Sequence, residues 1–178
     1  MALIKTVRGF VPEIGKNCFL AENATIVGQV SIGDDCSIWF NTVLRGDVNY
    51  IKIGNNTNVQ DGVIIHGTYE KFPTNIGNSV SIAHGAIVHG CTIHDHVLIG
   101  MGAIVMDGAV VESYSIVAAG SVVTQGTLVK SGSVFGGSPA KLIKEISHEL
   151  YEGQVSRIAR SYALYASWYK ENESQSST

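Results

Sequence analysis

The sequence predicts an all-β solenoid, a parallel β-helix of hexapeptide repeats, followed by a C-terminal α-helix. Three observations predict it: an aliphatic residue at every sixth position, an Ile-Gly pair opening every third repeat, and tyrosines at helical spacing near the C-terminus. Steps of six from Ile14 reach Leu20, Ile26, Ile32, Ile38 and Leu44. Three extra residues precede Ile53, Val59 and Ile65, and a five-residue excursion within 67–75 precedes Ile76, Ile82 and Val88. One step of five then leads to Ile93, Ile99, Val105, Val111, Val117 and Val123. A period of six fits neither a helix at 3.6 nor a simple strand at 2, but it fits short strands separated by turns. Ile14-Gly15, Ile32-Gly33, Ile53-Gly54 and Ile76-Gly77 group the repeats in threes, one triangular coil each. The eighteen starts therefore make six coils, stacked about 4.8 Å apart with the aliphatic columns inside. The residue four places after a start is usually small, as at Cys18, Ala24, Cys36, Ala86 and Ala103, which reads as a narrow interior corner. Abundant glycine (20) with scarce proline (3) suits a chain that turns often and regularly.

The prism is expected to end at GGSPAK, where Ser138 would cap a helix beginning at Pro139, a residue that needs no amide donor there. Beyond it Tyr151, Val155, Ile158, Tyr162, Tyr165 and Tyr169 recur at three- and four-residue spacing, an amphipathic helix that needs a surface to lie on. The expected organisation is thus a β-helix domain over 1–137, a helical segment over 138–170 and a polar, flexible tail over 171–178.

Composition narrows the function. Charged residues are 15% and apolar residues 45% of 178, which excludes a disordered chain and fits one domain with a real core. Twelve Lys and Arg against fifteen Asp and Glu, with no basic run, argue against nucleic acid and anionic membrane as partners. No apolar stretch approaches the roughly 20 residues of a membrane span, and the N-terminus carries no signal-peptide pattern, so a soluble, cytoplasmic protein is expected. Cys18, Cys36 and Cys91 form no CxxC pair and read as reduced thiols. Cys18 and Cys36 fall one above the other in consecutive coils; a disulfide there is sterically conceivable, and a reducing cytoplasm argues against it.

The repeat count sorts the histidines. His66 and His89 are each the second residue of a third hexad, one coil apart, so their rings stand side by side on one face. Backbones about 4.8 Å apart let two imidazoles lean onto one ion at metal–nitrogen distances of about 2.0–2.1 Å. His84 is the third residue of a second hexad, on a neighbouring face. The three can meet only if the His84 face of one subunit packs on the His66/His89 face of another, a heterologous contact that closes after three subunits as a homotrimer. On spacing alone, surface or hydrogen-bonded histidines fit equally well. Arg45 shares the column of His66 and His89, while Asp61 lies one coil before His84, so Arg45 would meet the partner's Asp61 in the same contact. Arg45 and Asp47 share a side of their strand, so a pair within the chain competes. His94, His96 and His148 fall away from this site and read as surface residues.

The stretch LRGDVNYIKIGNNTNVQDGVIIHG, followed by IAHGAIVHGC, resembles the gamma-class carbonic anhydrases and their bacterial homologues. The resemblance runs from about Thr6 through the C-terminal helix, and its most specific parts are Arg45-Gly46-Asp47, Asn58-Val59-Gln60-Asp61, His66, and the pair His84 and His89. It implies a left-handed coil, with His66, His84 and His89 as ligands of Zn2+, two from one subunit and one from its neighbour; imidazole also suits Fe2+ or Co2+. It implies hydration of carbon dioxide to bicarbonate by zinc-bound hydroxide, with Arg45, Asp47 and Asp61 in the family's motifs around the site. Three neutral imidazoles leave the dication's charge intact, so a bound water ionises near pH 7 instead of about 15.7, a gain on the order of 12 kcal/mol. By the same resemblance Gln60 orients hydroxide or substrate, and Tyr162 faces the site from the C-terminal helix; a polar residue satisfied in its ladder and simple aromatic packing fit these two as well. Two departures concern proton export: Val48 follows Asp47 where the archetypal member has glutamate, and the loop after His66 is short. Two other readings share the fold, a hexapeptide acyltransferase or thioesterase acting on acyl-CoA and a non-catalytic, metal-binding trimer.

Overall fold

A computed structural model describes residues 1–175, with the side chains of 171–175 left aside. The fold is a left-handed parallel β-helix with three faces and a C-terminal helix. Its registers reproduce the repeat: Ile14, Ile32, Ile53, Ile76, Ile93 and Val111 are successive partners on the first face. Leu20, Ile38, Val59, Ile82, Ile99 and Val117 do the same on the second, and Ile26, Leu44, Ile65, Val88, Val105 and Val123 on the third. The columns run further than the sequence count, to Val129 and Phe135 at one end and Ile4 at the other.

Most strands are two or three residues long because a chain that turns every six residues has no room for more. Two longer strands, Thr25–Ile32 and Val43–Ile53, round a corner from the third face to the first, with a register shift between Gly28 and Val30. The extra residues before Ile53 are taken up in this way. Inside, Ile26, Leu44, Ile65, Ile82 and Ile99 are fully buried, so each coil contributes its inward aliphatic residues to one continuous core. The Ile-Gly pair has a steric cause: a Cβ on Gly54 would come within 2.7 Å of the Gly77 backbone in the next coil. Beside it a side-chain ladder ties coil to coil. Lys16 N–H donates to Asp34 Oδ1 (2.6 Å), Asp34 N–H to Asn55 Oδ1 (2.8 Å), Asn55 N–H to Asn78 Oδ1 (2.8 Å) and Asn78 N–H to Asp95 Oδ1 (2.7 Å).

The expectation of a helix from Pro139 is corrected here. Ser133–Gly137 pairs antiparallel with Ala140–Glu145, and the cis Ser138-Pro139 bond lies in the turn between them. The serine and proline that read as a helix start instead shape a hairpin. The helical segment begins at His148, with Ser147 Oγ accepting from Leu150 N–H at 3.1 Å. A wide turn, Tyr151–Ser156, leads into the main helix, Arg157–Gln175. That helix runs five residues into the stretch expected as a flexible tail, and 176–178 lie outside the described residues.

The three faces differ. The helical segment covers the second, packing Val155 on Leu98, Ile116 and Val134, and Tyr162 and Tyr169 around Trp39. The first turns Glu13, Ser31, Lys52, Asn75 and Thr92 outward. The third presents Val43, Ile64, Ile87, Ile104 and Val122 as one outward aliphatic column, with Ile64 44% and Ile87 36% exposed. Such a stripe on an open sheet face is the signature of an interaction surface. Among the described residues no helix is long and apolar enough to cross a membrane.

Candidate metal centre

His66 and His89 close their strands Ile64–His66 and Ile87–His89 and are direct register partners. Both side chains leave the third face beside the aliphatic column. His66 Nδ1 and His89 Nε2 face each other at 3.2 Å. Each ring's other nitrogen meets a carboxylate: His66 Nε2 lies 3.0 Å from Asp47 Oδ1, and His89 Nδ1 lies 2.6 Å from Asp107 Oδ1. A carboxylate only accepts, so protons sit on those outer nitrogens, and with both rings neutral the two inner nitrogens face each other as bare lone pairs. Such a pair repels unless a proton or a cation lies between. Two nitrogens bound tetrahedrally at about 2.0–2.1 Å lie about 3.3 Å apart, which the observed separation matches. The donor set therefore fits a divalent cation with imidazole ligands, each backed by an outer carboxylate as metal-bound histidines usually are.

The surroundings favour a neutral His66 ring. Burial, assisted by the charge of Arg45 and opposed by the hydrogen bond to Asp47, lowers the proton affinity of His66 below the ordinary histidine value. For Asp47 burial resists ionisation, but hydrogen bonds from Arg45 and His66 outweigh it and hold the carboxyl below the usual range. Arg45 Nη1 donates to Asp47 Oδ2 at 2.7 Å, so within one chain the arginine takes its local partner and lies apart from Asp61.

His84 lies on the neighbouring face, as the repeat count requires. Its Nδ1 is 2.9 Å from Asp61 Oδ2, and its Nε2 is 3.1 Å from the Tyr162 hydroxyl. Asp61 holds the proton on Nδ1, so Tyr162 donates to Nε2. Burial first, then the charges of Asp61 and Tyr165, push the Tyr162 phenol up to about 12, and it keeps its proton at neutral pH. Among the described residues of a single chain, no three His, Cys, Asp or Glu side chains converge as a metal site. One chain thus carries an imidazole pair on one face and a single imidazole on another.

Gln60 is 3% exposed; its Nε2 donates to Asn58 Oδ1 at 3.0 Å, and Asn58 Nδ2 donates to Ser81 Oγ at 2.8 Å. It lines a cavity of about 410 Å³ beside His84, walled by Leu98, Met101, Ile116 and Tyr162. Asp107 and Thr68 are the residues that sequence reasoning missed. The Thr68 hydroxyl donates to Asp107 Oδ2 at 2.7 Å, fixing the carboxylate that holds His89. The signal was present but offset: the shortened step makes this coil seventeen residues, so Met106 shares the column of His89 and Asp107 comes one place later. His96, read as a plain surface residue, stacks on Tyr114 with ring centroids 4.9 Å apart and lies 3.3 Å from the Tyr151 hydroxyl.

Fold and site together define a hexapeptide-repeat β-helix protein with an imidazole pair on an open face. The family described as bacterial transferase hexapeptide (six repeats) matches residues 12–46 and 90–125. A carbonic anhydrase of Geobacillus kaustophilus is 39% identical over 97% of this chain and 94% of its own length. Gamma carbonic anhydrase 2, mitochondrial, of Arabidopsis thaliana is 41% identical over 93% of this chain, which spans only 61% of that relative's length. Among solved structures, a Bacillus cereus protein described as a candidate acetyltransferase superposes with a TM-score of 0.92 at 37% identity, covering 96% of this chain and 98% of that one. The chain belongs to the gamma-class carbonic anhydrase-like family of hexapeptide-repeat proteins.

Proposed function

We propose that this protein is a metal-dependent carbonic anhydrase that hydrates carbon dioxide to bicarbonate at the subunit interfaces of a homotrimer. The observation that carries the reading is the facing pair of ring nitrogens on His66 and His89, 3.2 Å apart, each ring backed by a carboxylate on its other nitrogen. His84 of a neighbouring subunit would complete the ligand set, and the aliphatic column beside His66 and His89 supplies the apolar surface for that contact. In the trimer Arg45 would exchange Asp47 for the partner's Asp61. Zn2+ fits the all-imidazole set, as do Fe2+ and Co2+. A cation there would lower the pKa of coordinated water to near 7 and so supply the nucleophile for carbon dioxide.

The chain's own residues provide orientation. Asp47, Asp61 and Asp107 hold the protons on the outer ring nitrogens and keep the inner ones free to ligate. Gln60, its amide held by Asn58, sits at the cavity beside His84, where it would orient carbon dioxide. Tyr162 keeps its proton and would offer its hydroxyl to bicarbonate once His84 Nε2 is engaged. A cytoplasmic location belongs to the same proposal and rests on the odd, unpaired cysteine count.

The test is metal analysis of anaerobically purified protein together with stopped-flow carbon dioxide hydration, for the native chain and His89→Ala. Stoichiometric metal and hydration in the native protein, both lost in the variant, are expected; equal activity in the two would sink the metalloenzyme reading. Bound zinc with no hydration above buffer would instead mark a non-catalytic metal-binding trimer, the outcome that Val48 and the short loop after His66 would then explain. The apolar cavity beside His84 and the likeness to the Bacillus cereus protein favour one second reading, acyl transfer from an acyl-CoA. Acetyl-CoA turnover that survives chelation would select it.

A further inference from the structure

At the N-terminal end of the prism, far in sequence from the imidazoles, two thiols occupy one column. Phe19 pairs with Ser37, and Phe19 N–H donates to the carbonyl of Cys36 at 2.9 Å, so Cys18 and Cys36 hold the same place in consecutive coils. Parallel neighbours lie about 4.8 Å apart, inside the roughly 4.4–6.8 Å that a disulfide spans between Cα atoms. Cys18 is half-buried and Cys36 is 1% exposed. Both are free thiols, each with its Sγ on a carbonyl of the following coil: Cys18 on Gly33 at 3.2 Å, Cys36 on Gly54 at 3.0 Å. Thr57 continues the column and donates to Gly77 in the same way at 2.9 Å, so capping a carbonyl needs only a hydroxyl.

We propose that Cys18 and Cys36 are a reversible dithiol–disulfide pair that reacts with hydroperoxides, Cys18 attacking and Cys36 resolving. The neighbouring Cys36 thiol, one coil on in the same column, is the main cause that draws the Cys18 thiol down to about 7. Burial opposes it and the nearby Lys170 ammonium, whose Nζ lies 3.0 Å from Asn17 Oδ1, assists it. The neighbouring Cys18, with burial, pushes the Cys36 thiol up. An accessible thiolate beside a protonated second thiol is the arrangement that peroxide-sensing cysteines share.

In the first step the Cys18 sulfur attacks one peroxide oxygen; the O–O bond breaks, one water or alcohol leaves, and Cys18 becomes a sulfenic acid. In the second the Cys36 sulfur attacks Cys18, the S–O bond breaks, a second water leaves with the Cys36 proton, and the S–S bond forms. Two thiols lose two electrons, which reduce the hydroperoxide. The product joins the first two coils covalently, and an external dithiol restores it by exchange.

The experiment treats the full chain with one equivalent of hydrogen peroxide at neutral pH, then maps peptides before and after reduction with dithiothreitol. The expected result is a Cys18–Cys36 cross-link that reduction reverses, with Cys91 unmodified. In Cys36→Ser, Cys18 should accumulate as sulfenic acid, trapped by a dimedone-type reagent, and in Cys18→Ser, Cys36 should stay reduced. Serine keeps a hydroxyl for the carbonyl, and circular dichroism checks the coil. Cys18 should also alkylate about tenfold or more faster than Cys36 at pH 7 in the untreated protein, which tests the pair even if a variant fails to fold. Over-oxidation of Cys18 at the same rate with and without Cys36, or cross-links only between separate molecules, would overturn the proposal.

Discussion

Asp107→Ala probes the metal centre from one residue away. Asp107 accepts the His89 Nδ1 proton at 2.6 Å and the Thr68 hydroxyl at 2.7 Å. Alanine removes both, so the His89 ring is free to turn and to move its proton onto the nitrogen that faces His66. A hydrogen bond to a charged acceptor contributes roughly 1.5–3 kcal/mol. The His89 and Asp107 side chains are 34% and 25% exposed, so solvent screening puts this one at the low end. About 1.5–2 kcal/mol corresponds to zinc binding about 10- to 30-fold weaker, within the range outer carboxylates usually contribute. Asp107→Asn keeps an oxygen for His89 and loses only the charge, so it should fall about tenfold or less. The assay is competition for zinc against a chromophoric chelator at fixed pH and protein concentration, with circular dichroism to confirm the coil. Equal zinc affinity in the native chain and a folded Asp107→Ala would refute the assignment of this carboxylate to the site.

The exposed column on the third face should hold the subunits together, so Ile64→Glu with Ile87→Glu is expected to give a folded monomer that no longer retains zinc. Light scattering decides it, and an intact oligomer would count against that face as the contact. Leu44→Ala empties a fully buried position at the level of the site and should cost about 2–5 kcal/mol in a urea titration; a loss under about 1 kcal/mol would mean the column is not close-packed. Burial, joined by the nearby Tyr114 and Glu152, raises the Tyr151 phenol above its ordinary value. The folded chain thus holds that proton more tightly than the unfolded one, so its contribution is complete below about pH 10 and is lost as pH climbs through the raised value. Tyr151→Phe should flatten the alkaline fall in stability that begins at about pH 10, and an unchanged slope would exclude Tyr151 as its source.

Much of this was legible because a solenoid writes its geometry into a period. Knowing that Ile65 and Val88 share a column was enough to put His66 beside His89, and the slips before Ile53 and Ile76 were countable gaps. The C-terminal end was misread because Ser138 and Pro139 satisfy two different structures equally: a cap followed by a helix start, or a tight turn between strands. Lys141 to Lys144 have no helical periodicity of their own, and what decides is pairing with Ser133–Gly137, a contact that no local pattern announces. The site's chemistry was only half visible. Repeat arithmetic finds side chains that share a column, whereas the Tyr162–His84 contact spans 78 residues and depends on where the helix lands. Arg45 choosing Asp47 was an open alternative on spacing, and distance resolves it for the single chain.

The split of imidazoles between two faces has a thermodynamic corollary. If three copies must assemble before a full ligand set exists, zinc affinity and self-association are one linked equilibrium, and each should strengthen the other by the same factor. Dilution would then strip the ion without any chelator, and added zinc would draw dissociated chains back into rings. A cell could therefore control loading through the abundance of the protein alone.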